Sequence, residues 1–184
     1  MRIFNHKTTS MIRLFFAAIF AIVVFSSCSH SYFIVRHAEK ATAGPNMSSD
    51  VPLSELGEER VKALHAILSK KKIKSVYSTN TIRTKTTAMP TAAYFHVPIE
   101  IYGPRPDSAF IRMLKTKKKN VLIVGHSNTV DDIVNMLCNE KKIPGDLDES
   151  IYDNLFVVTY KGRKITFKNE KIILIPQINT GSKL

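Results

Sequence analysis

The chain has 184 residues, with 27 Lys or Arg against 15 Asp or Glu, for a formal net charge of +12. That length suits one domain with a core of its own, and the charge favours anionic partners: phosphorylated substrates, an anionic membrane surface or nucleic acid. Nucleic acid is set aside, because the basic runs Lys70-Lys71-Lys72 and Lys117-Lys118-Lys119 carry no interleaved aromatics and match no nucleic-acid-binding motif.

Residues 1–28 read as a targeting segment. Arg2, Lys7 and Arg13 make a basic start, no acidic residue occurs before Glu39, and Leu14 to Phe25 is an uninterrupted apolar run. The run is right for a signal sequence and short for a membrane span. Ser26-Ser27-Cys28 then resembles the lipobox of bacterial lipoproteins, with Phe25 where Leu is usual; that resemblance implies lipidation of Cys28 and a membrane-anchored, exported protein. An ordinary secretory signal cut near Ser27 and an uncleaved anchor are the alternatives. The spacing leaves about three residues, roughly 10 Å when extended, between Cys28 and the first strand. Cys138, the other cysteine, lies in the helical apolar pattern IVNMLC and reads as a core residue. Residues 29–184 form the folded domain.

Tyr32-Phe33-Ile34-Val35 is the first strand, apolar throughout as in a buried parallel sheet, and ends directly in Arg36, His37, Glu39 and Lys40. A polar loop follows. Ser54 caps a helix with glutamates in its first turn and Leu56, Val61, Leu64, Ile67 and Leu68 on one face; His65 lies at its surface or boundary. Ile73 to Tyr77 is the second strand, and the helix after it carries Arg83 and contains Pro90, where a kink is expected. Val97 to Tyr102 is a short third strand, and Asp107 caps a helix over Ser108–Lys117. Val121 to Val124 is the fourth strand, followed by Gly125, His126 and Ser127 and by a helix from Asn128 or Thr129 through Leu137. Pro144 and Gly145 break the chain. Leu155–Tyr160 and Lys164–Lys168 read as a hairpin, with Lys171–Ile175 extending the sheet or pairing at its edge. Strand–helix alternation closed by a hairpin gives an α/β three-layer sandwich, with a mostly parallel central sheet and antiparallel edge strands.

This arrangement puts Arg36-His37, Arg83 and His126 at the carboxyl ends of parallel strands, where such sheets bind ligands. Two arginines and two histidines without matching carboxylates fit a site that holds a dianion, and guanidinium groups bind phosphate through paired hydrogen bonds. No metal site is expected, because two histidines lack a third ligand at diagnostic spacing.

The sequence around these residues resembles the histidine phosphatase superfamily, the phosphoglycerate mutase-like fold. Tyr32–Lys40 is similar to its Arg-His-Gly motif, with Ala38 in place of Gly. VPLSELGEERVKAL, VYSTNTIRTKTTAMPTA and VLIVGHSNTV are similar to its next three motifs, in family order. The resemblance implies that His37 accepts the phosphoryl group and that Arg36, Arg83 and His126 form the phosphate pocket, with no cofactor. Glu39, Lys40 and Ser127 are further candidates for contacting substrate, or in the case of Glu39 and Lys40 for a surface ion pair. Some members place an acidic residue directly after the second histidine, where this chain has Ser127. Glu100, Asp107 and Asp131 are therefore the candidates for a general acid.

The expected function is hydrolysis of a phosphorylated small molecule or phosphoprotein. The short stretch between Arg83 and His126 leaves no room for a cap, which favours a phosphatase with an open site over a phosphoglycerate mutase-type phosphotransferase. An exported anion-binding lipoprotein without turnover and a structural envelope lipoprotein are the non-enzymatic alternatives.

Overall fold

The computed structural model describes residues 29–43 and 50–174. The targeting segment, with Cys28, lies outside them. Six strands and four helices follow in chain order: β1 (Ser29–Arg36), α1 (Glu55–Leu68), β2 (Ser75–Ser78), α2 (Ile82–Tyr94), β3 (Ile99–Ile101), α3 (Ser108–Lys117), β4 (Val121–Gly125), α4 (Val130–Cys138), β5 (Asn154–Lys161) and β6 (Lys164–Lys171). They form one sheet of order β3-β2-β4-β1-β5-β6. β3, β2, β4 and β1 are parallel, whereas β5 and β6 run antiparallel and complete one side. This is the expected α/β sandwich.

Period-two alternation sorts the strand residues between two cores. Tyr32, Ile34, Val121 and Ile123 face α3 and α4, with Ile111, Leu114, Ile133 and Leu137. Phe33, Val35, Leu122 and Val124 face α1 and α2, with Leu64, Leu68 and Ala88. Tyr32 to Val35 and Val121 to Val124 are all buried. Each such apolar side chain contributes about 1.5–3 kcal/mol, so the two strands that end in the histidines are anchored firmly. Cys138 is buried and free, as expected of a core residue.

The local differences have physical causes. β1 begins at Ser29 rather than Tyr32, because Ser29, His30 and Ser31 pair with Lys161, Tyr160 and Thr159 of β5. No tether therefore separates the first strand from residue 28. β6 runs on to Lys171 as the partner of Asn154, and residues 172–174 form no strand of their own; Ile172 instead donates from its backbone to the Asp153 carbonyl (2.7 Å), and Ile175 lies outside the described residues. Leu56 does not join the buried face of α1 and is 50% exposed. Gly57 takes the contact: a Cβ there would stand 2.2 Å from the Glu39 carbonyl oxygen, so α1 packs directly on the loop that follows His37.

Candidate active site

The register of the sheet brings the two histidines together. Arg36 pairs with Gly125, and the His37 amide donates to the Gly125 carbonyl (2.9 Å). His37 and His126 thus leave adjacent strand ends side by side, with ring centroids 5.4 Å apart in an edge-to-face arrangement. Gly125 permits this turn, since a Cβ would meet Tyr102 Oη at 2.7 Å and Thr129 Oγ1 at 2.9 Å. Thr129 Oγ1 accepts from the His126 amide (3.0 Å), fixing the start of α4.

His37 is 4% exposed. Its Nδ1 lies 2.7 Å from the Ala38 carbonyl; a carbonyl can only accept, so Nδ1 carries the proton and Nε2 keeps its lone pair. Burial above all, then Arg36, Arg83 and His126, depress its pKa to about 3, while the bond to Ala38 opposes the shift. The ring is neutral at physiological pH, as a nitrogen nucleophile must be. Ala38 uses its methyl in a small buried cluster with Leu53 and Val61, and its amide donates to Thr87 Oγ1 (3.0 Å).

His126 has its pKa lowered to about 4 by burial, then by Arg83 and Arg36. Arg83 Nη2 reaches His126 Nδ1 at 3.5 Å. An arginine only donates, so Nδ1 accepts and Nε2 donates to Thr79 Oγ1 (2.9 Å). Thr79 in turn bonds Thr84 (3.1 Å). Arg83 also meets Asp50 (3.4 Å). His37, Thr79, Arg83 and His126 line a cleft of about 1040 Å³ that also takes in Lys40, Arg105, Ser127, Asp146 and Glu149.

Arg36 is held differently. Its guanidinium donates to the carbonyls of Asp148 (3.1 Å) and Ile151 (3.3 Å), lies 4.1 Å from the centre of the Tyr152 ring and pairs with Glu149. Glu149 accepts from Ser127 Oγ as well, and it is Glu149, not Arg36, that lines the cleft. The bond from Ser127, then Arg36, keep the Glu149 carboxyl below its ordinary range. Sequence reasoning missed Glu149 and Thr79. Glu149 lies in a loop with no motif, and only Ser127, in the place of an acid, hinted that a carboxylate had to come from elsewhere.

Glu39 does not line the cleft. It is gripped by Arg60, Nε to Oε1 at 2.8 Å and to Oε2 at 2.9 Å, with both side chains 13% exposed, which ties the loop after His37 to α1. Lys40 is exposed at the cleft wall. Of the acid candidates, Glu100 pairs with Lys117 (3.3 Å) outside the cleft, and Asp107 caps α3, accepting from the Phe110 amide (2.7 Å). Asp131 is buried in the first turn of α4, with Oδ1 unpartnered among the described residues and its pKa raised chiefly by burial. None of the three lines the cleft. Among the described residues, no group of three or more His, Cys, Asp or Glu could hold a metal ion.

Residues 32–103 match the Histidine phosphatase superfamily (branch 1). No curated protein matches the chain. Solved structures of similar fold include the protein histidine phosphatase SixA complexed with tungstate (22% identity, TM-score 0.60, 77% of this chain and 97% of that one). A putative phosphohistidine phosphatase SixA from Agrobacterium tumefaciens is also similar (15%, 0.54, 74% and 96%), as is phosphoglycerate mutase from Bacillus anthracis str. Sterne (14%, 0.51, 80% and 95%). At these identities the likeness is one of fold. The histidine phosphatase match spans β1 to β3 with α1 and α2 between them; His126 lies beyond it and is joined to the site by the sheet register.

Proposed function

We propose that the protein is a metal-independent phosphatase that forms a phosphohistidine on His37. The observation that carries this reading is a buried, neutral His37 whose Nδ1–H is fixed by the Ala38 carbonyl, beside His126 at the edge of a basic cleft. The Nε2 lone pair forms the N–P bond while the P–O bond to the leaving group breaks and its electron pair stays on the leaving oxygen. Arg83 donates to the phosphoryl oxygens as charge shifts onto them, and His126 does so once the phosphate takes the place of Thr79 on its Nε2–H. Water then attacks phosphorus, the N–P bond breaks, and the pair returns to Nε2.

Arg36 joins the pocket when the incoming phosphate replaces the Glu149 carboxylate on its guanidinium. Glu149, released from Arg36 and now beside the negative charge of the phosphate, takes up a proton from solvent, hands it to the leaving oxygen and takes one back from the attacking water. The similar fold of a SixA structure complexed with tungstate, an oxyanion, supports an anion-accepting cleft. Phosphorylated small molecules and phosphoproteins both suit an open cleft of this size.

The test is a rapid quench at alkaline pH, which preserves phosphohistidine, with a substrate carrying labelled phosphate. Label on His37 is expected, with none formed by His37→Ala; label on a hydroxyl side chain, or undiminished turnover by that variant, overturns the reading. Residues 1–28 we assign to export and to lipid anchoring through Cys28, on the strength of the basic start, the apolar run and the Ser26-Ser27-Cys28 sequence. Cys28→Ser should release the protein from membranes; unchanged membrane fractionation and mobility would count against the anchor.

A further inference from the structure

Among the described residues, many of the cations without a salt bridge lie at the end of the sheet opposite the cleft. Three separate parts of the chain converge there. Lys70 to Lys72 follow α1, and the amide of Lys74 donates to the Asn120 carbonyl (2.8 Å). Lys118 and Lys119 follow α3, immediately before Asn120, whose Oδ1 accepts from the Ser31 amide (2.8 Å) and whose Nδ2 donates to the Lys71 carbonyl (2.5 Å). Lys161 pairs with Ser29 and, across the β5–β6 turn, with Lys164, with Arg163 at the tip. Apart from the half-buried Lys71, these cations are exposed, and none has a salt-bridge partner among the described residues. Glu140, just after α4, is already paired with Lys142, and Glu100, midway along β3, with Lys117.

Complementing helix dipoles does not account for this surface. Lys161, Arg163 and Lys164 belong to a strand turn and not to the last turn of a helix. Lys72 and Lys118 also hold left-handed backbone, φ 51° and 45°, where glycine is the unstrained choice. Like charges gathered on one face repel and are tolerated best against a counter-charged surface. The chain itself says which surface. β1 starts at Ser29 in the middle of this basic end, so residues 1–28, with the apolar run Leu14 to Phe25, enter the domain there.

We propose that this basic end docks on an anionic phospholipid surface, so that the cleft at the opposite ends of the strands faces away from the membrane toward soluble substrate. Each Lys or Arg close to such a surface adds about fivefold to its association, and salt screens the effect. The proposal builds on the reading of residues 1–28 as a membrane anchor and is independent of the catalytic reading.

The test uses the full chain bound to vesicles of phosphatidylcholine alone or mixed with phosphatidylglycerol. A membrane-impermeant amine reagent modifies accessible lysines, and mass spectrometry reads each site. On the anionic vesicles, modification of Lys70, Lys72, Lys118 and Lys164 should fall severalfold relative to neutral vesicles and recover in high salt. Lys40, on the cleft wall, should be modified equally on both. Two charge-reversal variants, Lys70→Glu with Lys72→Glu and Arg163→Glu with Lys164→Glu, should each weaken protection of the remaining basic cluster, and each is checked for wild-type thermal melting so that either can serve alone. Equal modification on both vesicles, or protection of Lys40 together with the basic end, overturns the proposal. So does protection of the same lysines by a DNA duplex when anionic vesicles give none. Turnover of a small phosphoester, followed in the same samples, reports separately on the catalytic reading.

Discussion

Glu149 sits on the guanidinium of Arg36, a residue 3% exposed at its side chain, although its own side chain is 72% exposed. The Leu147 amide, bonded to the Ser127 carbonyl (2.9 Å), holds this loop against the end of β4, and the carboxylate, bonded to Arg36 and Ser127, faces solvent. The protein thus carries its own anion where a substrate phosphate would bind Arg36. Glu149→Gln should bind inorganic phosphate about two- to fivefold more tightly, since an ion pair with one exposed partner contributes about 0.5–1 kcal/mol. The same variant should lose about a hundredfold or more in turnover of alkyl phosphates, whose leaving groups need a proton, and far less with p-nitrophenyl phosphate. Calorimetry and a leaving-group series check both; unaltered phosphate affinity together with an unaltered leaving-group dependence would remove Glu149 from the mechanism.

The two histidines make stability depend on pH in a defined direction. Both have folded pKa values below the ordinary 6.5, at about 3 for His37 and about 4 for His126. Between those values and 6.5 the unfolded chain binds more protons, so their contribution is complete above pH 6.5 and is lost as pH falls through that window. Ring-carbon NMR should find both imidazoles neutral at pH 5.5. Melting temperature should fall less between pH 7 and pH 5 for His37→Ala than for the wild type. A His37 titration near 6.5 would contradict the buried, cation-flanked setting described here.

The fold was legible because β1 and β4 are apolar on both faces, which only a covered parallel sheet requires, and because both end abruptly in histidine. The same pattern put His37 and His126 at one end of the sheet. Side-chain partners were not legible. Glu39 stands two residues after His37, yet Arg60 of α1 turns it from the cleft. Glu149 reaches Arg36 only because the chain between α4 and β5 folds back over β1, a long-range contact with no local pattern. The polar start of β1 was hidden for a related reason: Ser29 to Ser31 are strand residues through pairing with β5, not through their own hydrophobicity.

His126→Ala should lower turnover by about a hundredfold to a thousandfold, the usual cost of losing one donor to the transferring group. The expected loss is in kcat more than in KM, because the donor acts as charge builds on phosphorus-bound oxygen. The Thr79–Thr84 hydroxyls hold this ring from below, so Thr79→Val should reproduce part of the loss through misorientation. Steady-state kinetics on one phosphoester separates these outcomes; a His126→Ala enzyme with wild-type kcat would mean that the second histidine is not a donor.

Gly57→Ala tests whether α1 positions the nucleophile. The added Cβ would lie 2.2 Å from the Glu39 carbonyl oxygen and 3.1 Å from its nitrogen. Those are backbone atoms and cannot rotate aside, so either α1 or the loop after His37 has to move. Overpacking of this kind costs about 1–3 kcal/mol, which thermal melting should register. The loop is also fixed by the Ser54 amide to the Glu39 carbonyl (2.9 Å) and by the Glu39–Arg60 pair. A shift there is transmitted to Ala38, whose carbonyl sets the tautomer of His37. Turnover should therefore fall by more than the loss of folded protein explains, when measured well below the melting temperature. Arg60→Ala, which loosens the same loop without adding bulk, should produce a smaller loss in the same direction. Wild-type kcat in both variants would show that the loop holds His37 in place without help from α1.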